Sequence, residues 1–426
     1  MEKFDAIIVG AGLAGLAAAY TLASEGVEVL VLERGDYPGS KNVTGGRIYL
    51  NPVRSLFPGL WEDAPLERYI AHEGVSVMGT SDSIRIDYSG DELRNSRQSY
   101  SIIRSKFDRW FAEQTESKGA MLLTRAKVDD LVIENGKVCG VLTGGDELRC
   151  NAVIACDGVL SLIPRKAGLS TPLNMSNCAV GLKEVIALEP SAIESRFGLD
   201  GNEGAARLFL GQVTSSLFGG GFLYTNQESV SLGLVIGIKA AAEDKAVSVP
   251  ELLENFKKRP EIACLVKGGS SLEYSAHVIP EGGCSALARL YGDGIMVAGD
   301  SAGLALNIGF TVRGMEYALA SGHYAARAFL KAREKGHFEA ADLKLYQDYL
   351  EESFVLKDFR NFRHAPEVLD NPRLFSHYPE ILGSIFREIY TVPDGSKGNL
   401  FPIIKKHMSV AEVWSTLKDL WSFQKL

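Results

Sequence analysis

No Cys-x-x-Cys pair occurs in this chain of 426 residues, and its six cysteines, Cys139, Cys150, Cys156, Cys178, Cys264 and Cys284, are scattered. A structural zinc or iron–sulfur site needs clustered thiolates, and a disulfide scaffold needs a short secreted chain. No metal site is therefore expected, and the thiols are read as reduced, buried and cytoplasmic. A basic stripe is missing too: 45 Lys and Arg face 53 Asp and Glu, a formal net charge of -8, which argues against nucleic-acid binding. No secretory signal pattern is visible. The uncharged run "AIIVGAGLAGLAAAYTLA", Ala6 to Ala23, has the length of a membrane span. Three glycines within six residues, straight after a β-branched strand, make it a strand–turn–helix unit instead.

What is present begins with that unit. A strand at Phe4–Val9, a helix at Leu13–Glu25 and a strand at Val27–Leu32 form a βαβ unit. Its turn supplies G-x-G-x-x-G as Gly10, Gly12 and Gly15. These glycines allow the tight turn, the approach of backbone to a pyrophosphate, and close helix–strand packing. Glu33 closes the second strand, where a carboxylate can accept hydrogen bonds from a ribose. Further on, Phe107, Trp110 and Phe111 share a helical face from about residue 104, and Gly119 ends that helix. Asn135-Gly136 signals a hairpin. Alternating strands and the Gly-rich "FGGGFLYTN" fill roughly 160–290, with a helix near "VPELLENFKKRP". A strand at Gly294–Asp300 and a long helix from about Thr311 to Arg333 follow, and the rest is helical and broken by prolines.

The expected fold is α/β: a discontinuous Rossmann-like nucleotide domain (1–75, 100–160 and 290–335), an inserted β-rich domain (76–99 and 161–289) and a helical C-terminal region (336–426). The first motif does not separate FAD from NAD. Asp300, ending the strand in "VAGDSAG", can bind ribityl hydroxyls. Gly309 and its neighbours in "NIGFTVRGM" present amides where charge develops on a reduced flavin ring. Arg104, heading its helix, is placed for a diphosphate, though it suits a surface cation equally. No second G-x-G-x-x-G exists, so a built-in pyridine-nucleotide domain is not expected and electrons arrive by another route.

The segments "DAIIVGAGLAGLAAA", "VLERG", "KNVTGGR", "CAVGLKEVI", "GGGFLYTN", "GFTVRGMEYAL" and "LDNPRLFSHYPE" together resemble the FixC family, relatives of electron transfer flavoprotein–quinone oxidoreductase. The resemblance runs from Met1 to the 390s. It implies a glutathione-reductase-type FAD fold that takes electrons from a two-subunit electron transfer flavoprotein and passes them to a membrane quinone. It also implies flavin contacts at Gly10, Gly12, Gly15, Glu33, Arg34, Thr44, Gly45, Arg104, Asp300 and Gly309, with Val128 offering backbone to adenine. Ala11, Gly46, Asp157, Gly158 and Phe310 complete the expected cofactor set. Thr44 would offer a hydroxyl near the ribityl and N5 side, and Gly45-Gly46 would admit the ring. Lys41 and Arg47 are read as electrostatic supports or as surface charges. The longer relatives end in a four-cysteine iron–sulfur domain that this chain lacks, which implies a separate small ferredoxin-like partner. The setting expected is a FixABCX-type complex, in which electron bifurcation is possible, held peripherally at the inner face of the cell membrane.

A glycine pair that meets quinone in those relatives falls here on Gly219 and Gly220. Gly219, Gly220 and Gly221 would give backbone donors, with Phe218 and Phe222 shaping an apolar slot; a Gly-rich turn at a sheet edge reads the same way. On this reading Gly220→Val blocks quinone and leaves FAD bound. Tyr224, His277 and Glu184 are candidates for proton delivery, each also suited to packing or the surface. In "SVAEVWSTLKDLWSFQ", Val410, Val413, Trp414, Leu417, Leu420 and Trp421 fall on one helical face, fitting an interfacial helix or, as preferred here, one docked on the core. Three rivals remain. A geranylgeranyl-reductase-like enzyme usually carries a cysteine in the loop matching "KNVTGGR", absent here. A flavin-dependent aromatic hydroxylase usually reads G-D-A-A-H, again absent. A non-catalytic relay subunit would not need "GGGFLYTN".

Overall fold

The computed structural model describes residues 3–41, 46–244 and 248–426. β1 (Lys3–Val9), α1 (Leu13–Ser24) and β2 (Val29–Leu32) form the expected βαβ unit. β1 lies between β2 and the strand Asp146–Ala155, all parallel, with Met121–Leu123 beyond β2 and Ile295–Val297 beyond Asp146–Ala155. The runs of Val, Ile, Leu and Ala in the central strands are buried on both faces, as a covered parallel sheet demands, while the edge strand Met121–Leu123 is partly exposed. The uncharged run Ala6 to Ala23 is thus core, as its strand–turn–helix reading expects. α1 packs tightly on the long helix Met315–Lys335, because Gly322 lets it in: a Cβ there would lie 2.0 Å from the Ala14 carbonyl.

The hairpin at Asn135-Gly136 is as expected, both residues having positive φ, and joins Val128–Glu134 to Lys137–Thr143. Those strands run antiparallel into Asp146–Ala155, so a β-meander takes the place of a crossover helix.

A second, nine-stranded sheet has the order Ser270–Pro280, Cys178–Ala187, Ser229–Gly237, Gly219–Thr225, Glu203–Gly211, Tyr69–Met78, Ser99–Ser101, Arg47–Tyr49, with Ser83–Ser89 also on Tyr69–Met78. Two expected boundaries, 75/76 and 99/100, fall inside its strands. Period-2 patterning marks a strand but not the sheet it joins, which long-range pairing decides. One face of this sheet buries Phe209, Leu223 and Leu234 against the helices Pro190–Phe197, Val249–Lys258 and Pro260–Val266. The other face looks at the nucleotide domain. The C-terminal region is mainly helical, from Ala340–Leu343 to Val410–Ser422, with an irregular stretch over 391–399. Cys150, Cys156 and Cys178 are buried, whereas Cys264 is exposed.

Candidate functional site

A single cavity of about 1000 Å³ runs between the two sheets and reaches the C-terminal region. At one end is the Gly-rich turn. Gly10 has φ +100°, and a Cβ on it would sit 2.4 Å from the Cys156 carbonyl; one on Gly15 would sit 1.9 Å from the Gly10 carbonyl. Both glycines are therefore demanded by the crossing itself. Gly12 precedes α1 and leaves the first-turn amides facing the cavity. The Glu33 carboxylate accepts from the Ala11 amide (2.9 Å) and the Gly35 amide (2.5 Å), which fixes it at the tip of β2 beside the turn. Val128, at the start of its strand, and Arg34 line the same end.

Further along, Arg104 is buried and clasped to Asp108 by two 2.7 Å bonds, so it is no surface cation. Asp300 sits in the short turn Gly299–Ala302; burial raises its carboxyl, while His277 and Arg104 pull it down. His277 is pushed down by burial, opposed by Asp300. Asp157 accepts from Ser161 (2.5 Å) and Ser301 (3.2 Å), with Gly158 beside it. The cavity thus offers helix-end amides, a strand-end acid and a buried guanidinium in the order that a dinucleotide with a polyol chain requires, which fits FAD.

At the far end, Gly46 faces Tyr224 so closely that a Cβ would lie 2.6 Å from its ring. Arg47 is buried, paired with Glu73, bonded to Ser99 Oγ (2.9 and 3.1 Å), and stacked over Tyr49. Of the two expected supports it is structural, while Lys41 is exposed. Tyr224 stacks on Phe222 with ring centroids 5.3 Å apart, and burial pushes its phenol well above the ordinary range, so it stays a hydrogen-bond donor. Phe218 meets Phe375 of the C-terminal region edge-on at 5.7 Å. With Gly219, Gly220 and Gly221 these aromatic rings line the slot.

Several expectations change. Glu184 does not line the cavity; alternation along Cys178–Ala187 turns it to the helix-covered face, where Lys257 pairs with it at 2.7 Å. Its neighbour Lys183 faces the cavity instead. The glycine run is no edge turn but a central strand, Gly219–Thr225, between Glu203–Gly211 and Ser229–Gly237. Gly309 and Phe310 lie in the turn of a short hairpin, Leu306–Asn307 with Val312–Arg313, and the long helix starts only at Met315. The Gly309 amide donates to Asn307 Oδ1 (2.9 Å), and Phe310 is exposed at the cavity rim. Any helix-dipole effect therefore belongs to Gly314 and Met315. Thr44 and Gly45 lie outside the described residues.

The C-terminal helix also differs from its docked reading. Tyr378 and Arg373 hold Asp419, and Lys425 holds Glu367 at 2.9 Å, so polar groups tether the helix. Trp414 (70% exposed), Leu417, Leu420 and Trp421 (71%) face outward. Phe423, just after the helix, lines the cavity.

Glu281 was not legible as a site residue. It lines the cavity beside Asn307, whose amide lies 3.4 Å away, and burial pushes its carboxyl up to about 7. An unfolded glutamate ionises at about 4.3. The native state thus keeps a proton that the unfolded state loses, and this contribution, full below about pH 4, disappears as pH rises to about 7. Thermal melts should show stability falling from about pH 5 to 7, with a shallower fall in Glu281→Gln; equal slopes would contradict this.

Three family comparisons bear on the site. An FAD binding domain family matches residues 3–196, an ETF-QO ubiquinone-binding family matches 178–279, and the ETF-QO/FixC family C-terminal domain matches 365–426. A FixC protein of Salmonella typhi is 48% identical over 419 residues, covering 98% of this chain and 97% of its own. An Escherichia coli protein described as a probable electron transfer flavoprotein–quinone oxidoreductase is 43% identical, covering 98% and 97%. Among solved structures, a geranylgeranyl bacteriochlorophyll reductase-like protein from Thermoplasma acidophilum aligns with TM-score 0.72 at 21% identity, covering 99% and 100%. A myxobacterial chondrochloren halogenase aligns with TM-score 0.67 at 17% identity, covering 100% and 98%. At such identities these two share the fold alone.

Proposed function

The chain belongs to the FixC/electron transfer flavoprotein–quinone oxidoreductase family, and from that premise we propose that it accepts electrons from a two-subunit electron transfer flavoprotein and delivers them to a membrane quinone. FAD, when bound, supplies the two-electron carrier. The chain's own residues hold it, shape the second site and keep a proton donor at hand. Gly12 and the first turn of α1 receive the diphosphate, with Arg104 as counter-charge. Asp300 accepts from the ribityl chain, and Glu33 from the adenosine ribose.

One observation carries the reading: the dinucleotide site and the aromatic slot of Phe218, Phe222 and Tyr224 belong to one continuous cavity, with Phe375 edge-on to Phe218 and Phe423 also in its lining. A quinone ring in this slot lies within the same enclosure as the flavin, where short distance favours electron transfer. Tyr224, held protonated, can donate a hydrogen bond to a quinone carbonyl. The exposed face of the helix Val410–Ser422 adjoins Phe423, so an isoprenoid tail can leave the slot toward lipid, with Trp414 and Trp421 at the interface. Among the described residues no helix is long and apolar enough to cross a membrane. On this reading the protein works peripherally at the cytoplasmic leaflet, as the quinone-reducing member of a FixABCX-type complex with a ferredoxin-like iron–sulfur partner, a setting in which bifurcation can operate.

The test uses the FAD-loaded protein copurified with its neighbouring subunits. Reduced electron transfer flavoprotein should bleach the flavin absorbance, and a quinone analogue in liposomes should restore it. Bleaching by NADPH alone, with no response to quinone, would sink the reading.

A further inference from the structure

Lys183 stands in the middle of the strand Cys178–Ala187, paired laterally with Gly233 on one side and Ser275 on the other. It is 2% exposed and faces the cavity. Its ammonium has no hydrogen-bond partner among the described residues; the Glu273 carboxylate lies 3.8 Å away, beyond hydrogen-bond reach. The space about it is shaped rather than filled. Gly233 has no side chain because the Phe222 ring lies over it, where a Cβ would come within 2.4 Å of that ring. The groups facing Lys183 are thus an aromatic ring, the Glu273 carboxylate of a loose ion pair and, further off, the cation Arg104.

A buried ammonium held only by an ion pair with Glu273 at 3.8 Å, with no hydrogen bond among the described residues, is a poor choice for the fold itself, since a methionine would fill the space without the desolvation cost. Burial pushes the amine down from its ordinary value, Glu273 pulls it up and Arg104 adds to the downward push. Among the described residues only the loose Glu273 pair offsets that cost, which leaves room for an acceptor on a bound group. The cavity's cofactor carries many acceptor oxygens: the diphosphate, the ribityl hydroxyls and the ring carbonyls. A neutral quinone against the Phe222 ring would, by contrast, present only two carbonyl acceptors, with the Tyr224 phenol as a donor beside it.

We propose that Lys183 is an FAD-holding residue, its buried ammonium completed by an acceptor oxygen of the bound cofactor, so that cofactor loading, and not the fold, accounts for a lysine at this position. The inference rests on the FAD site, and it stands apart from electron donor and quinone, because its test needs neither.

Lys183→Met and Lys183→Gln are compared with the unaltered protein after stripping and titrating with FAD. The stripped Lys183→Met protein should melt at a higher temperature than the stripped parent, because a buried charge that only a loose ion pair offsets is gone. Its FAD dissociation constant should rise about tenfold or more, so the gain in melting temperature on adding FAD shrinks. Lys183→Arg should recover part of the affinity. The flavin midpoint potential then locates the acceptor: it falls if the ammonium meets a ring carbonyl and stays put if it meets the diphosphate or ribityl chain, and both outcomes support the proposal. The proposal is overturned if FAD affinity in both variants stays within about twofold of the parent, or if stripped and loaded forms lose stability equally. A change confined to the quinone KM, with FAD binding intact, overturns it as well and assigns Lys183 to the quinone.

Discussion

Replacing Glu33 by alanine is expected to weaken FAD binding by about one to two orders of magnitude, the larger of the expected effects on the cofactor. A carboxylate that accepts from ribose hydroxyls loses charge-assisted bonds worth roughly 1.5–3 kcal/mol each when removed, and about 1.4 kcal/mol is a factor of ten. The same carboxylate also accepts from the Ala11 and Gly35 amides, so its loss loosens the turn that offers its amides to the diphosphate. Titrating the stripped protein with FAD, followed by quenching of flavin fluorescence, reads the effect. If affinity holds while the melting temperature falls, Glu33 serves the turn alone and the ribose contact is wrong.

Phe222→Ala should raise the KM for a quinone analogue by about tenfold or more, since a buried aromatic wall is worth roughly 1.5–3 kcal/mol, and should leave FAD stoichiometry unchanged. Phe222 stacks on Tyr224 and covers Gly233 in the aromatic slot, away from the Gly10–Gly15 turn and Glu33. Reoxidation of reduced flavin across a range of quinone concentrations decides the matter; an unchanged KM would place quinone elsewhere. Gly220→Val, the substitution that the sequence suggests, does not test the slot. A Cβ on Gly220 would lie 2.6 Å from the Phe209 carbonyl inside the sheet, so valine forces two central strands apart. Loss of soluble, FAD-loaded protein is the outcome expected, whatever the quinone does. Gly219, with φ +146° and a Cβ position 2.1 Å from the Val235 carbonyl, is equally constrained.

Local patterns carried much of this. The strand–turn–helix with Gly10, Gly12 and Gly15, the acid at the tip of β2 and the Asn-Gly hairpin follow from near-neighbour rules, because turn geometry and helix capping need only a few adjacent residues. Arg104 was visible as a helix-head cation, but its clasp with Asp108 turns an ambiguous charge into a buried one. The same rules misled where a side chain's direction mattered. Glu184 and Lys183 are adjacent, both charged and in one strand; only the sheet's orientation says which meets the cavity. Gly309 lies near the start of the long helix in sequence, yet Leu306–Asn307 and Val312–Arg313 pair first and delay that helix to Met315.

The sequence by itself determined the nucleotide half, the FAD assignment and the family, since these rest on motifs whose chemistry is contiguous along the chain. Tertiary structure alone decided what shares the cavity. Lys183, Glu281, Phe375 and Phe423 come from four distant segments and meet at one cavity because strand pairing across the second sheet and the return of the C-terminal region bring them there. It also decided the fate of Trp414 and Trp421: an amphipathic pattern fixes that a helix has an apolar face, while only the positions of Tyr378, Arg373 and Glu367 turn that face outward.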